Sequence, residues 1–271
     1  MLIAQLSDLH IKLPGRLAYK KVDTAAMLAE AVRRINALVP RPDLLLITGD
    51  LTDIGSPEEY AWLRELLAPL TMPMFVVPGN HDEREGIRAA FADGGYFPPQ
   101  GFLNFAVDYG DLRLVGLDTL VPGQGGGEVC AERLSWLDDA LRAAPDMPTL
   151  LLMHHPPFES GIGHMDRLGL AGREAFAELL TRHPQVLRIL CGHLHRSIVT
   201  TVGGRVAMSC PSPAHQVVLD LRDDAPSRFS MEPPGFLLHQ WAGGILTSHT
   251  AAIGDFAGPF PFFDAAGHLI D

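Results

Sequence analysis

Long apolar runs are missing from this 271-residue sequence. Pieces such as LLLI and TLLLM fall far short of the roughly 20 residues that a membrane helix needs, so no membrane partner is expected. Cysteine is scarce: Cys130, Cys191 and Cys210 stand far apart and form neither a CxxC pair nor a disulfide framework, which reads as a reduced, cytoplasmic protein. Positive charge is short as well. Lys and Arg number 21 against 32 Asp and Glu, a net charge of -11, and no basic stripe is available for a nucleic-acid polymer. An anionic substrate would then have to meet something local and strongly positive, and a metal would serve. The opening MLIAQLSDLH lacks the basic segment and small-residue cleavage site of a signal peptide. What remains, 47% hydrophobic and 20% charged, is an ordinary globular composition for one large domain, alone or with an appendage.

The first third alternates between strand and helix. LIAQLS (2 to 7), LLLIT (44 to 48) and MFVV (74 to 77) are short apolar runs. DTAAMLAEAVRRINAL has helical periodicity behind an N-cap at Asp23, and Ser56, Pro57 and Glu59 mark the start of a second helix. Such βαβ units imply an α/β fold with a sheet buried on both faces. From residue 102 the chain becomes richer in strands. FLNFAVDYGDLRLVGLDT reads as two strands around Gly110-Asp111, followed by the helix AERLSWLDDALRAA, the strand TLLLMHH, the helix GREAFAELLTRH and the strand VLRIL. A hairpin around Gly203-Gly204 and a strand HQVVLDL follow, as though a second sheet packed on the first. Past 222 the prolines 226, 233 and 234 break the pattern. GFLLHQWAGGILTSHTA reads as a late hairpin, and AGPFPFF as core filling or, in preference, an apolar subunit contact.

Strand ends carry the polar residues that stand out. QLSDLH offers Asp8 and His10, ITGDLTD offers Asp50, VVPGNHD offers Asn80 and His81, LLMHHPP offers His154 and His155, and CGHLH offers His193 and His195. Each ending alone is ordinary turn chemistry or a satisfied core histidine. Open α/β sheets gather their sites at the carboxyl ends of strands, however, so one site explains all five endings together. Asp8, His10, Asp50, Asn80, His154, His193 and His195 are too many ligands for one tetrahedral zinc and about right for two metals sharing a carboxylate. Imidazole, carboxylate and amide oxygen suit iron, manganese, zinc or cobalt better than calcium. Cys191, with no second thiolate nearby, reads as strand packing.

In this order, D-x-H, GD, GNHD, HHPP and GHxH resemble the calcineurin-like metallophosphoesterases, over residues 1 to about 216. Within that superfamily the chain is similar to the class III cyclic nucleotide phosphodiesterases and the related bacterial glycerophosphodiesterases. The closing LLHQW and AGPFPF resemble the latter branch. The resemblance implies a four-layer αββα sandwich of two mixed β-sheets flanked by helices. A catalytic domain over 1 to 221 would be followed by a cap or subunit-contact segment over 222 to 271, in a homo-oligomer. It implies two divalent metal ions, Fe, Mn, Zn or Co. Asp8, His10 and His195 would hold the first ion and Asn80, His154 and His193 the second, with Asp50 bridging. His81 would face the phosphoryl group, donating a proton to the leaving alkoxide or a hydrogen bond to a phosphoryl oxygen. Tyr19 and His215 look similar to pocket residues of the branch.

Two neighbouring families fit less well. Purple acid phosphatases place a tyrosine ligand where GDLTD has Asp53. Protein Ser/Thr phosphatases carry an arginine and a glutamate where this chain has Ile54 and Asp82. The implied reaction is hydrolysis of a small phosphodiester, a 3',5'-cyclic nucleotide or a glycerophosphodiester, by a metal-activated hydroxide. A phosphomonoesterase and a non-catalytic scaffold on the same fold are the alternatives.

Overall fold

A computed structural model describes residues 1 to 270. In chain order its strands are β1 (Leu2–Leu6), β2 (Leu44–Ile47), β3 (Met74–Val76), β4 (Phe105–Tyr109), β5 (Leu112–Gly116), β6 (Gly127–Glu128), β7 (Thr149–Leu152), β8 (Leu170–Ala171), β9 (Val186–Cys191), β10 (Ile198–Val202), β11 (Arg205–Ser209), β12 (Gln216–Val217), β13 (Phe229–Ser230), β14 (Gly235–Ala242) and β15 (Ile245–Ala252). The helices are α1 (Thr24–Asn36), α2 (Pro57–Leu67), α3 (Arg84–Ala90), α4 (Ala131–Arg142), α5 (Gly163–Asp166) and α6 (Arg173–Thr181). The caps read from the sequence form: Asp23 accepts from Ala26 N–H at 3.0 Å, and Ser56 from Glu59 N–H at 3.2 Å with Pro57 opening the helix.

Two large mixed sheets result, ordered β15-β14-β1-β2-β3 and β10-β11-β9-β7-β5-β4. Strand periodicity distributes their side chains between layers. In the first sheet, Ala4, Leu6, Leu45 and Ile47 face α1 and α2, packing with Leu28, Ile35 and Leu63. Their neighbours Ile3, Leu44 and Leu46 point the other way and meet Leu114, Leu150 and Leu190 of the second sheet. That sheet turns Val115, Leu151 and Ile189 toward Leu137 and Phe176 of α4 and α6. Both central sheets are thus apolar on two faces, which yields the expected four layers, helix on sheet on sheet on helix.

The late hairpin forms, but as part of the first sheet. β14 pairs antiparallel with β1, placing Leu2 opposite Gln240 and Gln5 opposite Leu237, and Phe236, Leu237 and Trp241 enter the cores. The fold therefore does not break at 221. The strand expected over 215 to 221 shrinks to β12, because its partner is the two-residue β13 and not either large sheet. Leu219 and Leu221 stay exposed. The helix α3 and the short α5 carry no periodic apolar run of useful length and went unread in the sequence.

Candidate functional site

The parallel strands β1, β2, β7 and β9 end at one rim, and the residues just past their ends fold in an unusual way. Asp8, His10, Asp50, His193 and His195 have φ of 56°, 45°, 49°, 69° and 53°. Left-handed backbone costs an L-residue about 1–2 kcal/mol, so the surroundings must enforce it. They do so by hydrogen bonds between loops: Asp8 N–H donates to Gly49 O and His10 N–H to Asp50 O, both at 3.0 Å, and Ser212 Oγ donates to Asp8 O at 2.9 Å. Close approach sets the glycine before the HxH pair. A Cβ on Gly192 would lie 2.0 Å from Ser7 Oγ and 2.5 Å from Thr48 O.

The side chains converge in two linked groups. His10 Nε2 faces His195 Nε2 at 3.1 Å, and the latter lies 3.6 Å from Asp8 Oδ1. On the other side, His154 Nε2 and His193 Nδ1 each stand 3.1 Å from Asn80 Oδ1. Asp50 Oδ2 lies between the groups, 3.6 Å from His10 Nε2 and 3.4 Å from His154 Nε2. Asp8 and His154 are fully buried, and His10, Asp50, His193 and His195 nearly so.

A divalent ion fits this donor set. His154 Nδ1–H donates to Thr48 O at 2.8 Å and His195 Nδ1–H to His215 O at 3.0 Å, so both rings turn an Nε2 lone pair inward. Burial holds His193 at about 3 and His195 at about 4, neutral and able to ligate. Among the described residues, Asp8 and Asp50 have ion-pair partners in histidines alone, with no lysine or arginine near. Two buried carboxylates without a fixed cation are costly. The two respond differently: burial pushes Asp8 up to about 7, with Asp50 adding to the rise, whereas burial of Asp50 is outweighed by His154, which holds it well below the usual carboxylate range. Burial would lower His154, but the attraction of Asp50 outweighs it and carries the ring up to about 9. A metal cation would supply the positive charge that His154 otherwise carries.

His81 sits beside this cluster, its ring edge-on to His10 with centroids 4.7 Å apart. Its N–H donates to Asp50 Oδ1 at 2.9 Å and its Nδ1 to Asp53 O at 2.7 Å, leaving Nε2 free to serve the cavity that the ring lines. Burial opposes its protonation, yet Asp50 and the Asp53 carbonyl prevail and raise its pKa. Tyr19 and His215 also reach the cavity. The His215 ring is 4.6 Å from that of His195 and 5.2 Å from that of Tyr19, which in turn lies 5.0 Å from Phe229.

The cavity measures about 390 Å³, and His164, Met165, Leu168, Val217, Arg228 and Phe229 complete its outer wall. None of these was singled out in the sequence, where they lie in short loops without a motif. A second cavity, about 400 Å³ beside Arg64, Phe75 and Tyr96, is remote from the imidazole cluster. Asp82, which the sequence did not mark as a site residue, has a definite task. Its carboxylate accepts from Gly79 N–H at 2.9 Å, Leu51 N–H at 3.1 Å and Tyr60 Oη at 3.0 Å, tying the Asn80 turn to the Asp50 turn. His155 packs against His154 and His193, ring centroids 4.8 Å from each, but its nitrogens are engaged elsewhere, Nδ1 2.8 Å from Thr119 Oγ1 and Nε2 3.3 Å from Gly125 O.

Comparison with known proteins places this site among relatives. Residues 1 to 197 match the family model of the calcineurin-like phosphoesterases. The probable glycerophosphodiester phosphodiesterase GpdQ of Arcobacter nitrofigilis is 44% identical over 273 aligned residues, covering 100% of both chains. The 3',5'-cyclic adenosine monophosphate phosphodiesterase CpdA of Pseudomonas aeruginosa is 35% identical over 80% of this chain and 77% of its own. Among solved structures, a dimetal phosphatase from Danio rerio shares the fold, with a TM-score of 0.63 at 13% identity over 94% of this chain and 99% of that one.

Proposed function

Because the chain belongs to the calcineurin-like phosphoesterase family, we propose that it is a metal-dependent phosphodiesterase acting on small glycerophosphodiesters. The observation that carries this reading is the buried cluster of two carboxylates, four imidazoles and an amide oxygen opening into a cavity of small-molecule size. Asp8, His10 and His195 hold one divalent ion, Asn80, His154 and His193 a second, and Asp50 serves both. Iron, manganese, zinc and cobalt all suit these donors. Such ions lower the pKa of water toward neutrality and offset the charge of a phosphoryl group.

The chain's own residues do the rest. His154 and His195, each with Nδ1–H donated to a backbone carbonyl, keep fixed tautomers. His81, protonation-favoured and with Nε2 unused, gives a hydrogen bond to a phosphoryl oxygen or a proton to the departing alkoxide. Tyr19 and His215 flank the ester.

The higher identity to the Arcobacter relative, 44% over the whole chain against 35% over 80% of it for the Pseudomonas enzyme, favours the glycerol ester. The aromatic wall of Tyr19, His215 and Phe229 favours the second reading, a 3',5'-cyclic nucleotide whose base stacks there. The test is kcat/KM of manganese-reconstituted protein for glycerophosphoethanolamine against 3',5'-cyclic AMP. A preference for the glycerol ester is expected, and a preference for the cyclic ester replaces it with second-messenger turnover. Metal content below one ion per chain would leave a non-catalytic scaffold.

Outside the β14–β15 hairpin, the segment from 222 onward acts as a cap or a subunit contact. Phe229 lines the cavity, and Phe256, Phe260 and Phe262 are exposed. Light scattering should give a multiple of the 29.4 kDa chain mass, and a monomer removes the subunit contact. No helix among the described residues is long and apolar enough to cross a membrane. The three cysteines are free, in keeping with a reducing, cytoplasmic setting.

A further inference from the structure

The outer wall of the cavity holds two polar groups for which the reaction itself has no use. His164, on the single turn α5, is 9% exposed; its Nδ1 is shielded from water without a hydrogen bond, and its Nε2, which has no partner among the described residues either, is the nitrogen left to serve the cavity that the ring lines. Buried polar atoms are seldom left without a partner, and those that are call for an explanation. Arg228 stands on the same cavity. Among the described residues no carboxylate lies within ion-pair distance of its guanidinium. Asp220, close enough to feel it, is engaged by Arg222.

The backbone that carries both groups is held in place, while the Arg228 side chain itself is exposed. Asp166 accepts from Ser160 N–H and Ser160 Oγ at 2.7 Å and from Gly161 N–H at 2.9 Å, which fixes the turn carrying His164. A Cβ on Gly163 would lie 3.2 Å from Asp223 O, so this turn rests against the segment leading to Arg228. Arg228 O accepts from Val218 N–H at 3.0 Å at the end of the β12–β13 ribbon, and that ribbon begins beside His215. The distance from the imidazole cluster to the outer wall is therefore set by backbone pairing.

Charge is divided unevenly along the cavity. Among its described lining residues Asp50 is the one carboxylate, turned toward the imidazoles, and Arg228 the one guanidinium, on the outer side. In-line displacement at phosphorus sends the departing alcohol away from the attacking water, and the wall that carries Arg228 is a side of the same cavity able to receive it. No carboxylate waits there for an ammonium group.

Resting on the glycerophosphodiester reading above, we propose that Arg228 and His164 form a leaving-group subsite for an anionic substituent. The chain then selects diesters whose departing alcohol bears a carboxylate over those bearing an ammonium alone. Arg228 pairs with the carboxylate and His164 supplies a hydrogen bond to it. Hydrolysis joins a water oxygen to phosphorus, breaks the bond to the departing oxygen and releases that alcohol with a proton as a free hydroxy acid.

Glycerophosphoserine and glycerophosphoethanolamine differ by one carboxylate and make the matched pair. For a partly solvated ion pair, the wild-type kcat/KM should favour the serine ester by about 5- to 10-fold. Arg228→Gln should bring the ratio near one, Arg228→Glu should invert it, and His164→Leu should reduce it in part. A ratio within one preparation cancels any loss of folded or metal-loaded protein. A wild-type ratio of one, or a ratio that Arg228→Glu leaves unchanged, overturns the subsite. If neither glycerol ester is cleaved, the glycerophosphodiester reading fails by itself. The subsite is then judged from the two esters as competitive inhibitors of bis(4-nitrophenyl) phosphate hydrolysis: tighter inhibition by the serine compound upholds it, and equal inhibition overturns it.

Discussion

The inner and outer halves of the cavity are made from different kinds of chain. Asp8, His10, Asp50, His193 and His195 follow directly from parallel strands, are almost fully buried and are locked by loop-to-loop hydrogen bonds. Tyr19, His164, Arg228 and Phe229 come from turns and a two-residue ribbon, and Tyr19 is 54% exposed. The inner half spends backbone strain to fix geometry, while the outer half keeps ordinary backbone at most positions and meets solvent. On the proposed reading, reaction chemistry would rest on the scaffold and discrimination on the loops, a division that would leave the second free to vary without loss of the first.

Substitutions should fall into two classes if that division holds. Asp50→Ala is expected to be the most severe, removing both metals and at least ~100-fold of activity, beyond the 10- to 100-fold typical of supporting residues. Metal analysis beside turnover checks it, and a variant that keeps both would dissolve the distinction. His81→Ala should lower kcat by about 100-fold with metal content near wild type. Equal losses of metal and rate would move His81 to the supporting structure. Asp82→Ala leaves the N–H groups of Gly79, Leu51 and Thr52 without an acceptor. A loss of about 1–3 kcal/mol in a denaturant titration is expected, with weaker metal binding. Tyr19→Ala, on the outer half, should raise KM a few-fold and leave kcat nearly unchanged. A fall in kcat instead would show that the outer wall takes part in positioning the phosphoryl group.

The inner half was legible in the sequence because five strand ends carry ligand types together and their spacing is rigid. A period of two in Asp8/His10 and His193/His195 survives any shift of an element by a residue or two. The βα alternation and the apolar strands likewise gave the two sheets. The outer half was illegible for the opposite reason. His164 and Arg228 are single polar residues in segments without periodicity, and their meeting depends on how two loops pack. Tyr19 and His215 were reached by resemblance and not by pattern. The fate of 235 to 252 turned on pairing partners: a hairpin signal tells that two strands meet, but not that one of them will add to β1.

That pairing has a bearing on biosynthesis. β1 is completed by β2 on one side, some 40 positions later, and by β14 on the other, more than 230 positions later. Asp8 likewise waits for the backbone of His193, 185 residues away in sequence. A ribosome therefore releases most of the chain before the first strand has both neighbours, and contacts of such long sequence separation form slowly. Until the last hairpin arrives, the β14 edge of β1 stands open to pairing with other chains.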